Sequence, residues 1–177
     1  VAALINKNSK IVLENININP TRDGILRALK LMGGKIKINN KRVKNNEQIA
    51  DLEIESSKLH GCELNEEMSK LMIDEYPILS IAAAHANSPS LFKGLKELKV
   101  KESDRLELIR YNLDSCGVYC EVRDDQLFIN PNIKSEIKNN QIRTDFDHRI
   151  AMSFSVMGSL MKSELIIKDS ESIKTSF

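Results

Sequence analysis

No stretch rich in glycine, proline or serine divides this chain of 177 residues, so a single domain with a real core is the expected unit. An excess of either charge is also missing. Twenty-six basic and 25 acidic residues leave a formal +1, which points neither to nucleic acid nor to an anionic membrane surface. No apolar run approaches the roughly 20 residues that cross a bilayer. Three cysteines, Cys62, Cys116 and Cys120, are too few for a disulfide framework. No His or Cys cluster joins Cys116 and Cys120 to complete a zinc site, so no metal is expected. A reducing, cytoplasmic setting is the simplest reading. An initiator Met is absent too. The short, uncharged Val1-Ala2-Ala3-Leu4-Ile5 reads as the tail of a helix from a longer protein, not as a signal peptide.

What is present is a degenerate repeat. Helix end, polar turn and strand recur as Ala2–Ile5 then Lys10–Leu13, as Ile81–Ala86 then Ser90–Phe92, and as Phe154–Met161 then Leu165–Ile167. After the first strand, Thr21 or Asp23 caps a helix carrying Ile25, Leu29 and Met32 and stopped by Gly33-Gly34. After the second, a helix carries Ile109, Leu113 and Cys116 and stops at Gly117. A shift of 84 positions superposes these pairs. Lys35–Ile38, Leu52–Ile54 and a hairpin over 118–129, turning at Asp124-Asp125, supply further strands. Asn39–Gln48 and Asn130–Gln141 read as loops. The pattern predicts an α/β fold of three units close to βαβαββ, two complete or nearly so and one truncated. The most apolar helices, Ile78–Ala86 and Ile150–Met161, should lie inside with sheets around them.

Charged residues gather where helices begin. Asp74 precedes the helix starting near Pro77. Lys101-Glu102-Ser103-Asp104-Arg105 opens the next long helix, with Ser103 placed as its N-cap. His148-Arg149 follow Asp147, another N-cap, and Lys174 precedes a helix expected after the third strand. Related units around a common axis send equivalent helix starts to one end of the domain. There the free N–H groups and dipoles favour anions, and Lys101, Arg105 and Arg149 add positive charge. Each residue also has a plain structural reading. Asp74 could be only a cap, Glu102 a partner of Lys101 or Lys99, His148 a hydrogen-bonding group, Arg149 half of a salt bridge, and Lys174 a surface lysine.

Five segments in order resemble one family. They are Asn19-Pro20-Thr21-Arg22, Ile73 to Leu79, Glu97-Leu98-Lys99-Val100-Lys101-Glu102-Ser103-Asp104-Arg105-Leu106, Asp145-Phe146-Asp147-His148-Arg149-Ile150-Ala151-Met152, and Lys174-Thr175-Ser176-Phe177. They resemble the 5-enolpyruvylshikimate-3-phosphate (EPSP) synthase family, and cover only the C-terminal domain of such an enzyme, over residues 1–177. The resemblance implies an inside-out α/β barrel of three repeats. It implies transfer of the enolpyruvyl group of phosphoenolpyruvate to the 5-hydroxyl of shikimate 3-phosphate, with release of phosphate and without a cofactor. It implies that Asp74 contacts the shikimate hydroxyls and accepts a proton, that Lys101 contacts shikimate 3-phosphate, and that Glu102 transfers a proton at the methylene carbon. Arg105, Arg149 and Lys174 then hold phosphoenolpyruvate, with His148 as a further possible site residue. The partner it implies is the missing N-terminal domain, which lines the rest of both binding sites.

Two other readings compete. One is the enolpyruvyl transferase acting on UDP-N-acetylglucosamine, where Val-Lys-Glu-Ser-Asp-Arg is not expected and whose cysteine-bearing loop has no counterpart here. The other is a noncatalytic anion-binding domain on the same fold.

Overall fold

The repeat seen in the sequence is laid out as three sheets around a helical interior. This computed structural model describes residues 1–134 and 136–176, with backbone alone at 133, 134 and 175. The first unit runs α1 (Ala2–Ile5), β1 (Lys10–Asn17), α2 (Gly24–Leu31), β2 (Lys35–Lys44) and β3 (Glu47–Glu55). Its sheet is antiparallel in the order β1-β3-β2. The second unit shows the full βαβαββ pattern, with β4 (Glu63–Leu64), α3 (Glu66–Lys70), α4 (Tyr76–Ala84), β5 (Ser90–Phe92), α5 (Arg105–Ser115), β6 (Val118–Arg123) and β7 (Gln126–Lys134). Its sheet runs β4-β5-β7-β6, parallel only between β4 and β5. The third comprises β8 (Gln141–Ile142), α6 (His148–Gly158) and β9 (Ile166–Ile167), with β8 and β9 parallel.

Helices α4, α5 and α6 pack on one another in the centre. Tyr76, Leu79, Ile81, Ala82 and Ala83 of α4 are fully buried, as are Leu106, Ile109 and Leu113 of α5 and Ile150, Ala151 and Phe154 of α6. A helix apolar on every side is stable in water only if other elements surround it, and the sheets do so here. Along β3, Ala50, Leu52 and Ile54 are buried while Asp51, Glu53 and Glu55 are half-buried, the alternation of a sheet with one face on the core.

The chain departs from its sequence pattern in three places. Asn39–Gln48 is no loop. Residues 39–44 extend β2 and 47–48 begin β3, joined by Asn45-Asn46 at φ 51° and 62°. Asparagine tolerates that left-handed geometry, which a tight antiparallel turn demands. Residues 130–134 likewise continue β7, with a register shift between the Val118 and Tyr119 pairings that takes up the mismatch beside Pro131. Lys174, expected just ahead of a helix, lies inside a short 3₁₀ helix, Ser170–Thr175. Phe177 of the last motif lies outside the described residues.

Two glycines separate tight from tolerant backbone. A Cβ on Gly61 would sit 1.8 Å from the Pro89 carbonyl oxygen, where the strand β4 approaches the turn before β5. A Cβ on Gly158 would meet nothing closer than 3.6 Å. Gly61→Ala is expected to cost at least about 2 kcal/mol through forced backbone displacement. Gly158→Ala, at the end of α6, should change stability by less than about 1 kcal/mol. Urea melts of both variants check this; equal midpoints would contradict the close approach at Gly61.

Candidate active site

The start of α5 carries a guanidinium with almost no solvent contact. The Arg105 side chain is 1% exposed, although arginine is among the residues least often buried. Its fork is taken up by three carboxylates from three parts of the chain. Nε donates to Asp147 Oδ2 at 2.7 Å, Nη1 to Asp74 Oδ1 at 3.1 Å, and Nη2 to Glu102 Oε2. A planar fork suits this, because it directs several fixed donors to separate acceptors.

Each carboxylate is delivered by local structure. Asp74 sits in the 3₁₀ turn Ile73–Glu75 that leads into α4, and is not that helix's cap. Glu102 lies one turn before α5, in the bend that follows the 3₁₀ helix Lys96–Val100. Asp147 caps α6, with Oδ1 accepting from the Arg149 N–H at 2.9 Å and the Ile150 N–H at 3.4 Å. Its approach is unusual. Asp145 and Phe146 both take left-handed φ, at 49° and 61°, and Phe146 is 69% exposed. Two such residues in succession cost on the order of 1–3 kcal/mol each. The turn is held by the Asp147 N–H donating to the Thr144 carbonyl and by the Thr144 hydroxyl donating to the Lys168 carbonyl. Ser103 is not the cap of α5. Asp104 accepts from the Glu107 N–H in that role, while the Ser103 hydroxyl donates to Asp147 Oδ2 at 2.9 Å. Either residue type caps a helix; what decides is that the buried Asp147 oxygen offers Ser103 a second acceptor.

Around Asp74 the positive charge is denser still. Lys101 Nζ lies 3.4 Å from Oδ1, and Arg149 Nη2 and Arg22 Nη2 each lie 3.9 Å from Oδ2. Arg149 also reaches the Asp74 carbonyl at 3.4 Å. Burial raises the Asp74 pKa, but the charges of Arg149, Lys101 and Arg105 outweigh it and leave the carboxyl below its ordinary value. Asp147 behaves likewise. Burial pushes it up, and the hydrogen bond and charge of Arg105, with Ser103 and the Arg149 amide, bring it below the usual range.

The structure thus joins Asp74, Lys101, Glu102, Arg105 and Arg149 in one network, and adds Asp147, Ser103 and Arg22. The Asp-His-Arg and Asn-Pro-Thr-Arg segments held the signal for Asp147 and Arg22, but a cap and an exposed loop arginine read as ordinary. His148 opens α6 and is half-buried, with no side-chain bond to the network among the described residues. Lys174 is exposed and likewise unlinked to it. A hollow of about 280 Å³ beside Asp74 is lined by Glu75, Ile78, Arg149, Met152, Ser153 and Val156. Met152, on a helix expected to lie inside, is half-buried and forms one of its walls. A larger hollow, about 730 Å³, near Leu59 and His85 is lined by no carboxylate, so convergence of charge rather than size marks the site. Burial pushes the Cys62 and Cys116 thiols up to about 11 and Cys120 to about 12. They are poor nucleophiles at neutral pH. Among the described residues, no group of three or more His, Cys, Asp and Glu could hold a metal ion, and no helix is long and apolar enough to cross a membrane.

A family model described as EPSP synthase (3-phosphoshikimate 1-carboxyvinyltransferase) matches residues 1–177. The chain belongs to the EPSP synthase family. It is 43% identical over 177 residues to a 3-phosphoshikimate 1-carboxyvinyltransferase of Paramagnetospirillum magneticum, and 43% identical over 178 residues to one of Petrotoga mobilis. All of this chain is covered in both comparisons, against 40% and 41% of those proteins, so it spans about two fifths of their length. The EPSP synthase structure from Acinetobacter baumannii superposes with a TM-score of 0.93 at 38% identity, over 99% of this chain and 41% of that one. The enolpyruvyl transferase NikO from Streptomyces tendae superposes with a TM-score of 0.70 at 13% identity, over 99% of this chain and 38% of its own, and shares the fold. The inside-out α/β barrel is therefore the family's architecture, as the five motifs implied.

Asp147→Asn should destabilise the protein by about 3–5 kcal/mol at pH 6, because it takes from the buried Arg105 charge its one fully buried partner among the described residues. The folded-state pKa of Asp147 is lowered, so the stabilisation is complete above the unfolded value near 4 and is lost as pH falls through the folded one. Denaturant melts at pH 6 and pH 3 should show the gap between variant and parent narrowing at the lower pH. A gap that widens there would exclude an ionised Asp147.

Proposed function

We propose that residues 1–177 form the C-terminal domain of a 3-phosphoshikimate 1-carboxyvinyltransferase and supply one wall of its active site. The observation that carries this is the Arg105 network, which gathers the family's Asp, Lys-Glu-Ser-Asp-Arg and Asp-His-Arg segments at one place. The substrates are shikimate 3-phosphate and phosphoenolpyruvate, the setting is cytoplasmic aromatic amino acid biosynthesis, and the partner wall comes from the N-terminal domain. No organic cofactor or metal is needed, since the reaction is addition followed by elimination.

Asp74 takes the proton of the attacking 5-hydroxyl. Glu102, 54% exposed and held only at one oxygen by Arg105, delivers a proton to the methylene carbon, giving a tetrahedral intermediate. Elimination returns a proton of the new methyl group to Glu102, re-forms the double bond and expels phosphate, which leaves with the proton that Asp74 had taken. Lys101 holds the shikimate phosphate; Arg149 and Lys174 hold phosphoenolpyruvate. Arg105 reaches phosphoenolpyruvate only by exchanging its Glu102 contact for the ligand's oxyanion. Its constant task is to fix Asp74 and Glu102 relative to one another. The low pKa of Asp74 makes it a weak base on its own. Two anionic substrates offset the cations around it and raise its proton affinity towards the working pH. The same protein tested with UDP-N-acetylglucosamine in place of shikimate 3-phosphate, and for binding without turnover, separates this reading from its two rivals.

In the full-length enzyme, Asp74→Ala and Glu102→Ala should each lower kcat by about 10²–10⁴-fold. Both variants keep the buried Asp147 contact to Arg105, so each should lose less stability than Asp147→Asn does; an early-melting variant with normal specific activity would favour purely structural roles. Arg149→Lys should raise the KM for phosphoenolpyruvate although charge is kept, because a point charge cannot make a two-pronged contact. Equal KM values would remove Arg149 from that task.

Residues 1–177 alone should fold yet release no phosphate from the substrate pair, since one wall leaves the site open to water. Any binding seen by calorimetry should weaken sharply between low and physiological salt. Turnover by this chain alone would show that the second wall is dispensable.

A further inference from the structure

Arg22 has no role in the reading above, and it occupies a telling place. It ends the turn between β1 and α2, built by Asn19, whose Oδ1 accepts from both the Thr21 N–H and the Thr21 hydroxyl, while its carbonyl accepts from the Arg22 N–H. From this turn in the first unit the side chain crosses to the 3₁₀ turn that holds Asp74. There Nη2 lies 3.9 Å from Asp74 Oδ2 and 3.7 Å from Glu75 Oε1. These are charge contacts. Among the described residues the Arg22 guanidinium makes no hydrogen bond, and its side chain is 60% exposed.

The contrast with Arg105 is instructive. The 84-residue shift carries Arg22 onto Leu106, the immediate neighbour of Arg105, so the two arginines open equivalent helices in successive units. One is buried and has three carboxylates on its fork; the other is open and keeps its donors free. Arg22 and Arg149 face the same Asp74 oxygen from different units. Arg149 lines the hollow beside Asp74, and Arg22 stands against Asp74 and Glu75, two of its other walls; two open guanidinia around one carboxylate oxygen suit an oxyanion.

We infer that Arg22 is a substrate-contacting residue of this site, pairing with Arg149 to hold a phosphate or carboxylate group of the substrate that Asp74 orients. This rests on the transferase reading. It explains why an arginine whose carboxylate contacts are too long for hydrogen bonds is aimed at the most cation-rich carboxylate of the protein. The Asp74 contacts hold the guanidinium near its target, and its N–H fork remains available for the ligand.

The test uses the full-length enzyme with its two substrates. Arg22→Gln should raise the KM for at least one of them by about tenfold, the size expected when one charge-assisted hydrogen-bonding contact is lost. The kcat should change by less than about threefold, and the melting temperature should stay within about 2 °C of the parent. Arg22→Lys should recover part of the loss, and the affected KM should depend less steeply on salt in Arg22→Gln than in the parent. Unchanged KM values for both substrates in Arg22→Gln would overturn the inference, as would a lowered melting temperature with unchanged KM, which would make Arg22 a structural brace. A parent enzyme that forms no product would instead sink the transferase reading and this inference with it.

Discussion

The buried guanidinium of Arg105 is the constraint on which the site depends. Removing an ion of this size from water carries a penalty of several kcal/mol even after relaxation. Such a charge persists inside a protein only where opposite charges surround it with good geometry. Arg105 therefore imposes a condition on three other places in the chain. The turn before α4, the bend before α5 and the cap of α6 must each bring a carboxylate to it. That condition converts three separate helix starts into one constellation around the guanidinium.

Electrostatic balance follows from the same arrangement. Asp147 is fully buried and accepts hydrogen bonds from Arg105, Ser103 and two helix amides, so its oxygens are committed within the protein. It serves as an anchor. Asp74 is only partly buried and stands among four cations from three units, whereas among the described residues Glu102 pairs with Arg105 alone and is 54% exposed. Two carboxylates on one guanidinium thus have different neighbours, the condition under which a pair can divide acid and base work. Strain at Asp145 and Phe146 belongs here as well. A relaxed turn would send the Asp147 side chain elsewhere, and the energy held in those two residues is offset by the buried ion pair.

Much of this was legible in the residues. Helix periodicity over Leu106, Ile109 and Leu113, the stops at Gly33 and Gly117, and the 118–129 hairpin all emerged as the pattern required, because each rests on local spacing. The all-apolar runs of α4 and α6 announced an interior position for the same reason. The loops failed where polarity was taken as absence of structure. Asn39–Gln48 is polar because β2 and the start of β3 are exposed there, and polar residues form a strand readily when backbone pairing and an Asn-Asn turn supply the order. Ser103 and Asp104 could each cap α5; only the position of Asp147, 43 and 44 residues further on, assigns them. The burial of Arg105 could not be read from its motif, because burial of a charge depends on partners distant in the chain.

The repeat explains why the site forms where it does. The residues that lead into α4, α5 and α6 meet at Arg105, and helix starts favour anions through their free N–H groups. A threefold scheme by itself would make three equal anion sites. The chain breaks that symmetry. Helices α2 and α5 are equivalent under the 84-residue shift, yet an open arginine, Arg22, stands before α2 and a buried one, Arg105, begins α5 one position away in the repeat. Helix α6, the counterpart of α4, is capped by an acid, Asp147, that reaches the buried charge. One charged network results from three similar units because the arginine is solvated in one unit, desolvated in the next, and met by an acid from the third.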